Sequence, residues 1–321
     1  MVVLGSFCAF TWVFLDSVQS SGGLKPNKWT PIVLASILHF SGILFLMVLW
    51  ERILFLIQQP IEGLGWPSKS SLYTAYSRSW LTRYIPGRIW SLAGRALLVN
   101  RLGVPGDVVV RSMVGEVILT YGTLLLISGT ILIAVHLNPS IGVIAFIVGT
   151  TSFIAGLLIL QKLSTDVLTD QANFLLIRSI VHRGIKLLVG NSLLTWKSTI
   201  KGVAFYGIYS LTQLTTIVLI TTAFVEIDAK MALAIAGSWG ISLTVGWISI
   251  LPPAGLGTRD GIAFLLFSQV LELTTASAIV IASRIMMLLM DLALVVFVEG
   301  VSRYKQIKQT AEFSDASVNY D

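Results

Sequence analysis

Charged residues are scarce in this sequence. They make up 12% of its 321 residues, whereas hydrophobic residues make up 55%, and soluble domains average about 25% charged residues. So few charged residues could not cover the surface of a water-soluble globule. The composition therefore predicts an integral membrane protein and argues against a soluble enzyme.

Residues that build metal and redox centres are also rare. The single cysteine, Cys8, excludes an intrachain disulfide, a CxxC motif and a cysteine-based metal cluster. The three histidines are tens of residues apart and match no metal-ligand spacing, and there is no Walker A sequence. We therefore predict no metal, no cofactor and no ATP hydrolysis.

The net charge of +6 does not indicate a nucleic-acid-binding protein, because the 22 Lys and Arg residues interrupt apolar runs and form no continuous basic face. Short cytoplasmic loops of membrane proteins collect basic residues. Residues 51–112, 161–201 and 303–308 hold eight, six and three of them, which is 17 of the 22. We therefore predict that these regions and both termini are cytoplasmic.

Six apolar runs have lengths that approach or reach the ~20 residues needed to cross a membrane as a helix. They are residues 2–15, 31–54, 114–135, 141–160, 202–225 and 276–298. The first run has no basic segment before it and no cleavage site after it, so we expect a retained helix and not a signal peptide.

Two further apolar regions, at about 80–103 and 231–271, are interrupted by IPGR at 85–88 and PPAGLG at 252–257. Proline and glycine break helices, and irregular backbone survives at membrane depth only where protein or water satisfies it. We predict two re-entrant helical hairpins that enter from opposite sides, within two loosely inverted halves. The alternative is that each break is an ordinary loop outside the bilayer.

The predicted fold is thus an all-α helical bundle, with residues 1–300 as one transmembrane domain and 301–321 as a cytoplasmic tail. Residues 171–189 have a basic face and an apolar remainder. They predict an amphipathic helix in the cytoplasmic headgroup layer or, alternatively, one packed on the protein itself. Aromatic residues between Trp66 and Trp90 are predicted to anchor the chain at the membrane interface.

Ionisable groups within a membrane are costly and persist when they are paired or face a cavity. The candidate residues here are Arg88, Arg95, Glu116, Arg259, Asp260, Arg284 and Asp291. A helix that starts after each break would direct its free N–H groups and an arginine toward an anion such as phosphate.

Two glycines complete the candidate site. Gly255 and Gly257 would let the backbone approach a headgroup, and Thr258 would cap the following helix. The alternative for the charged residues is a set of structural ion pairs, for instance Arg95 with Glu116, or Arg284 with Asp291.

The motifs YIPGRIW at 84–90, Gly94-Arg95, Glu116 and PAGLGTRDG at 253–261 resemble, in this order, the flippase-like membrane domain of lysylphosphatidylglycerol synthases. Members of that family usually have lysine at the position of Arg88 and glutamate at that of Asp260. Both differences keep the charge, although Asp260 has a shorter reach. The soluble aminoacyl-transferase domain of the synthases is not expected here.

The resemblance implies a protein of the prokaryotic plasma (inner) membrane that moves a lipid between leaflets and is not an enzyme. Implied substrates are aminoacylated phospholipids and polyprenyl-phosphate-linked sugars, bound through the candidate residues above. One alternative is a non-transporting subunit that recruits a lipid-modifying enzyme. Another is a membrane-embedded transferase acting on lipid-linked sugars, although no DxD or DDxxD motif is present. The sequence leaves a homo-oligomer open.

Overall fold

The computed structural model describes residues 26–57, 66–85, 89–163, 196–249, 255 and 257–318. Within them the chain forms only helices, which confirms the predicted all-α class. They are α1 (Thr30–Ile57), α2 (Lys69–Leu81), a 3₁₀ turn (Thr82–Tyr84), α3 (Ile89–Asn100), α4 (Gly106–Ala134), α5 (Pro139–Leu163), α6 (Trp196–Phe224), α7 (Ala229–Ile248), α8 (Thr258–Phe267) and α9 (Leu273–Val318). The predicted crossing at 2–15, the predicted amphipathic helix at 171–189 and Arg88 lie outside the described residues.

Six of these helices are long and apolar enough to cross a membrane. They contain the segments Thr30–Phe55, Gly106–Ala134, Pro139–Gly156, Ala204–Phe224, Ala229–Ile248 and Leu273–Lys308. Five of them match predicted crossings. The sixth, α7, was predicted as one arm of the second hairpin, and its 20 residues also reach the length of a crossing.

Contacts between the loops show which helix ends lie together. The backbone N–H of Asn27 donates to the carbonyl of Ala223 at 2.7 Å, and the amide of Asn138 donates to Gln269. Leu132 near the end of α4 and Ala234 near the start of α7 belong to one apolar cluster, which joins these two groups of contacts. The starts of α1, α7 and α9 therefore lie beside the ends of α4, α6 and α8, at what we name the first end of the bundle. The second end is the opposite one, where α1 ends and α2 and α4 begin.

The α2–α3 pair forms a hairpin that starts at the second end. Near its start, the Ser70 hydroxyl donates to that of Ser302 in α9 at 3.0 Å. In the middle of α3, Arg95 contacts Glu116, which lies about ten residues, or about 15 Å, along α4. The tip lies further along, because α3 begins six residues before Arg95, at Ile89. This first hairpin therefore reaches about halfway along α4 and returns.

The α7–α8 pair forms a second hairpin that starts at the first end. Trp247, close to the end of α7, has its ring 5.0 Å from that of Tyr121, and Tyr121 lies in the middle of α4. The returning arm, α8, has 10 residues. The tips of the two hairpins thus meet about halfway along α4, having come from opposite ends.

Glycines shape the tip of the second hairpin. A Cβ atom added to Gly246 would lie 2.4 Å from the Cβ of Arg259, and one on Gly255 (φ +73°) would lie 3.0 Å from the carbonyl oxygen of Gly246. Gly257 (φ +83°) occupies the N-cap of α8, so the predicted capping role of Thr258 is wrong. Thr258 is the first residue of the helix, and its hydroxyl donates back to the Gly255 carbonyl at 3.4 Å.

The first hairpin begins at Lys69 and not, as predicted, at about residue 80. Its first arm, α2, is rich in serine and tyrosine and therefore gives no apolar signal. The buried hydroxyls of Ser77 and Ser79 donate to the carbonyls of Thr74 and Tyr76, at 3.1 and 2.7 Å. These local hydrogen bonds satisfy the hydroxyl donors and allow a polar helix to be buried.

The aromatic residues of this hairpin do not all lie at an interface. Tyr76 is fully buried and its hydroxyl donates to Glu116 at 2.9 Å, while the Trp80 indole donates to Asp291 at 2.8 Å. The prediction that they are interfacial anchors is wrong, because both hold carboxylates inside the bundle. Trp90, by contrast, is exposed.

The helices α4 and α5 pack closely through glycines. A Cβ on Gly149 would lie 2.4 Å from the backbone nitrogen of Leu126, and one on Gly129 would lie 2.5 Å from that of Phe146. Small residues of this kind let membrane helices approach each other.

We expect Gly149→Ala to lower the free energy of unfolding by about 1–3 kcal/mol, because the new methyl group overlaps the backbone of α4. Gly207→Ala in α6 is the matched control, since its Cβ would meet no atom within 4 Å. Unfolding in detergent micelles, followed by circular dichroism, measures both. Equal stability of the two variants would contradict the close packing of α4 on α5.

Candidate functional site

An interior cavity of about 140 Å³ lies where the hairpin tips meet, lined from eight of the nine described helices. Its charged lining residues within the described part of the chain are Arg83, Arg95, Glu116, Arg259 and Arg284. Four of these were predicted as site residues, and they come from both halves of the sequence. The fold therefore brings together arginines that are up to about two hundred residues apart.

Asp291 in α9 is fully buried and organises the tip of the first hairpin. One carboxylate oxygen accepts from the Trp80 indole at 2.8 Å, and the other accepts from the Tyr84 hydroxyl at 2.6 Å and from the guanidinium of Arg83. Arg83 also lies over the Trp80 ring, 4.4 Å from its centroid. Asp291 is thus held by residues of the hairpin, whereas the sequence-based alternative paired it with Arg284.

Arg95 and Glu116 form a buried pair at one side of the cavity. A terminal nitrogen of Arg95 lies 2.6 Å from one oxygen of Glu116, and the Tyr76 hydroxyl donates to the other oxygen at 2.9 Å. The Nε of Arg95 donates to Ser79 at 3.2 Å, and its guanidinium lies 4.0 Å from the Tyr76 ring centroid. This is the ion pair that the sequence suggested as an alternative to ligand binding.

Two further arginines share Asp260 near the tip of the second hairpin. Arg259 donates to one carboxylate oxygen of Asp260 through two nitrogens, at 3.0 and 2.9 Å. Arg284 of α9 lies 3.8 Å from the other oxygen. The remaining terminal nitrogen of Arg259 contacts the sulfur of Met287 at 3.3 Å. The cavity therefore has a positive wall on this side as well.

The charged cluster at the cavity consists of Arg83, Arg95, Arg259 and Arg284 with Glu116, Asp260 and Asp291. Its carboxylate oxygens form more of their possible hydrogen bonds within the protein than some of its guanidinium groups do. Five of the six oxygens of Glu116, Asp260 and Asp291 accept a hydrogen bond from an arginine, tyrosine or tryptophan, and the sixth, on Asp260, lies 3.8 Å from Arg284. In contrast, Arg95 uses two of its five N–H groups in hydrogen bonds to the described residues, and the Nε of Arg83 has no hydrogen-bond partner among them. Among the described residues, four guanidinium groups and three carboxylates give this cluster a net charge of +1.

Neutral polar side chains form another part of the lining. His39, Thr120 and Gln213, from α1, α4 and α6, are each at least 95% buried. His39 and Gln213 lie close enough to interact with each other, but neither ring nitrogen of His39, nor the Thr120 hydroxyl, nor the amide nitrogen of Gln213 forms a hydrogen bond of normal geometry to the described residues. Buried polar atoms are normally paired, so these atoms indicate the binding of water or a ligand.

The remaining predicted residues have different positions. Gly255 is buried against Gly246 and Arg259, whereas Gly257 is exposed. Neither is among the residues that line the cavity. Sequence reasoning missed Arg83, His39 and Gln213. The sequence did contain a signal for Arg83, which lies between Trp80 and Tyr84, just before the predicted helix break at 85–88.

Comparisons with known proteins gave no match: no family model, curated protein or solved structure is similar to this chain at a significant level.

Proposed function

We propose that this chain is a flippase-like lipid transporter. It moves a phospholipid or polyprenyl-phosphate-linked lipid with an anionic or modified headgroup between the leaflets of a membrane. The observation that carries the proposal is the cluster of Arg83, Arg95, Arg259 and Arg284 around one cavity, about halfway along the bundle. The proposal also rests on the resemblance of the sequence motifs to the membrane domain of lysylphosphatidylglycerol synthases.

In this proposal both hairpins are re-entrant. Paired broken helices that enter from opposite sides are typical of transporters, whose substrate sites lie near the middle of the membrane. The meeting of the two tips near Tyr121 and Glu116 of α4 supports this arrangement. Although α7 is long enough to cross, its last turn packs at mid-depth and not at the second end. The two hairpins then form the centres of two loosely inverted halves.

Arginine suits a phosphate headgroup for a geometric reason. Its planar guanidinium presents parallel N–H donors that match two oxygens of one phosphate group. The N–H groups of Arg83 and Arg95 that have no partner in the described residues supply such donors. The apolar lipid tails would remain in the bilayer, so only the headgroup needs the polar cavity.

The same proposal places the protein in the plasma membrane of a prokaryote, with the second end of the bundle and both termini in the cytoplasm. Basic residues support this orientation. Of the described residues close to the two ends, the second end has Arg52, Lys69, Arg78, Arg101, Arg111, Arg303, Lys305 and Lys308, whereas the first end has Lys28 and Lys230. This difference has the sign that the positive-inside rule requires.

The test is lipid transport by purified protein in liposomes. A trace anionic lipid carries a fluorophore on its acyl chain, and dithionite quenches only the outer leaflet. We expect wild-type protein to expose the inner-leaflet lipid to quenching. Arg95→Gln and Arg259→Gln should slow this by about tenfold or more, because each removes charged hydrogen bonds worth about 1.5–3 kcal/mol.

Arg78→Gln is the matched control. Arg78 is an exposed arginine outside the cavity that pairs with Glu299, so its loss should leave transport unchanged. All variants must retain wild-type helicity and elution volume. Absence of transport by wild-type protein of anionic, aminoacylated and polyprenyl-phosphate lipids would contradict the proposal. A lipid-modifying enzyme that co-purifies in that case would favour the recruiting subunit.

A further inference from the structure

We infer that the cavity selects a lipid whose headgroup is a hydroxyl-bearing phosphate ester, and that it rejects a cationic headgroup. This inference rests on the proposed transport function and names the substrate class for it. It differs from what the resemblance implies, since an aminoacylated phospholipid carries additional ammonium groups. Three observations carry it: the engaged carboxylates, the unused guanidinium donors and the unpaired neutral side chains.

The carboxylates are largely engaged by groups of the protein. An ammonium group buried in the cavity would need an acceptor oxygen, and five of the six oxygens of Glu116, Asp260 and Asp291 already accept hydrogen bonds, while the sixth lies 3.8 Å from Arg284. A cationic headgroup would have to share these oxygens with the arginines that already pair with them. It would also enter a cluster that already has a net positive charge, where like charges repel in a medium of low dielectric constant.

The guanidinium groups have N–H donors that could bind a phosphate. The Nε of Arg83 and three of the five N–H groups of Arg95 form no hydrogen bond to the described residues. Phosphate oxygens are strong acceptors that would satisfy several of them at once. A single phosphate negative charge would also neutralise the excess positive charge of the cluster.

The neutral polar side chains of the cavity lining, here called the neutral wall, could bind hydroxyl groups. His39, Thr120 and Gln213 line the same cavity, and the atoms named above form no hydrogen bond of normal geometry to the described residues, although His39 and Gln213 are neighbours. A hydroxyl group both donates and accepts, so it can pair with an imidazole, a hydroxyl or an amide alike. The cavity volume of about 140 Å³ is several times the ~30 Å³ that one water occupies, which leaves room for a small polyol beside the phosphate.

The experiment compares three acyl-labelled lipids in the same liposomes, each carrying one phosphate. Phosphatidylglycerol adds a diol, phosphatidylethanol adds no hydroxyl, and the lysyl ester of phosphatidylglycerol adds a cationic group. We expect phosphatidylglycerol to move fastest and phosphatidylethanol several-fold more slowly. We expect the lysyl ester to move at least about tenfold more slowly than phosphatidylglycerol, because like-charge contact costs several kcal/mol.

A variant tests the neutral wall separately. Gln213→Leu removes the amide but keeps the side-chain bulk, so the ratio of the phosphatidylglycerol rate to the phosphatidylethanol rate should fall toward one. A lysyl ester that moves as fast as phosphatidylglycerol would overturn the inference while leaving transport itself established. Equal rates for phosphatidylglycerol and phosphatidylethanol in wild-type protein would overturn the part concerning hydroxyls. Movement of none of the three would contradict the inference, and with it the transport of anionic phospholipids.

Discussion

Replacing Asp291 with alanine is expected to lower the free energy of unfolding by about 3–5 kcal/mol, the usual cost of breaking a buried ion pair from one side. The variant leaves the guanidinium of Arg83 without its carboxylate. It also removes the acceptor of the Trp80 indole and of the Tyr84 hydroxyl. Since these three residues form the tip of the first hairpin, the tip should lose its defined position.

Glu299→Ala on the same helix is the control for this experiment. Glu299 pairs with Arg78 at 2.9 Å, but the Arg78 side chain is 54% exposed, and exposed pairs contribute about 0–1 kcal/mol. Chemical denaturation in mixed micelles should therefore give a much larger change for Asp291→Ala than for Glu299→Ala. Similar changes for both variants would mean that Asp291 does not hold the hairpin tip.

Apolar run length was sufficient to predict five of the helices that can cross a membrane. A run of about 20 apolar residues has few alternatives to a helix in a bilayer, because its backbone groups must pair within the segment. Helix ends were less predictable. The last crossing was predicted at 276–298, whereas α9 extends over Leu273–Val318, since helix propensity continues past the apolar run without a proline or glycine pair to end it.

Helix α2 could not be predicted from apolarity. Its sequence, KSSLYTAYSRSWL, has more polar than apolar residues even when both tyrosines are counted as apolar, and its burial depends on side chains of other helices. The Tyr76 hydroxyl needs Glu116, and the Trp80 indole needs Asp291. Such partners lie 40 and 211 residues away in the sequence, so no local pattern indicates them.

The pairing of the charged residues at the cavity also could not be predicted from local sequence patterns. The cost of burying charge singled out Arg95, Glu116, Arg259 and Arg284, which all line the cavity. Spacing on one helix suggested that Arg284 pairs with Asp291, since residues seven apart share a face. The structure joins Arg284 to Asp260 of a neighbouring helix, because ion-pair partners in a bundle are set by how helices pack and not by spacing along one of them.

Variants of the Arg95–Glu116 pair can show whether the pair only stabilises the fold or whether Arg95 also binds the lipid headgroup. Arg95→Met alone should cost about 3–5 kcal/mol of stability, because the carboxylate of Glu116 remains buried with the Tyr76 hydroxyl as its remaining donor in the described residues. Adding Glu116→Gln removes the unpaired charge and should recover much of that loss. Lipid transport should nevertheless stay at least about tenfold slower than in wild-type protein, because the N–H donors of Arg95 are still missing.

A double-mutant cycle with Arg95→Met, Glu116→Gln and their combination measures both quantities on the same proteins. We expect a coupling energy of about 0.5–3 kcal/mol in chemical denaturation, as found for residues in contact, together with lipid transport at least about tenfold slower than wild type in every variant that lacks Arg95. Transport that returned with stability in the double variant would instead make the pair a structural element that fixes α3 against α4. In that case the headgroup would have to bind through Arg83, Arg259 and Arg284 alone.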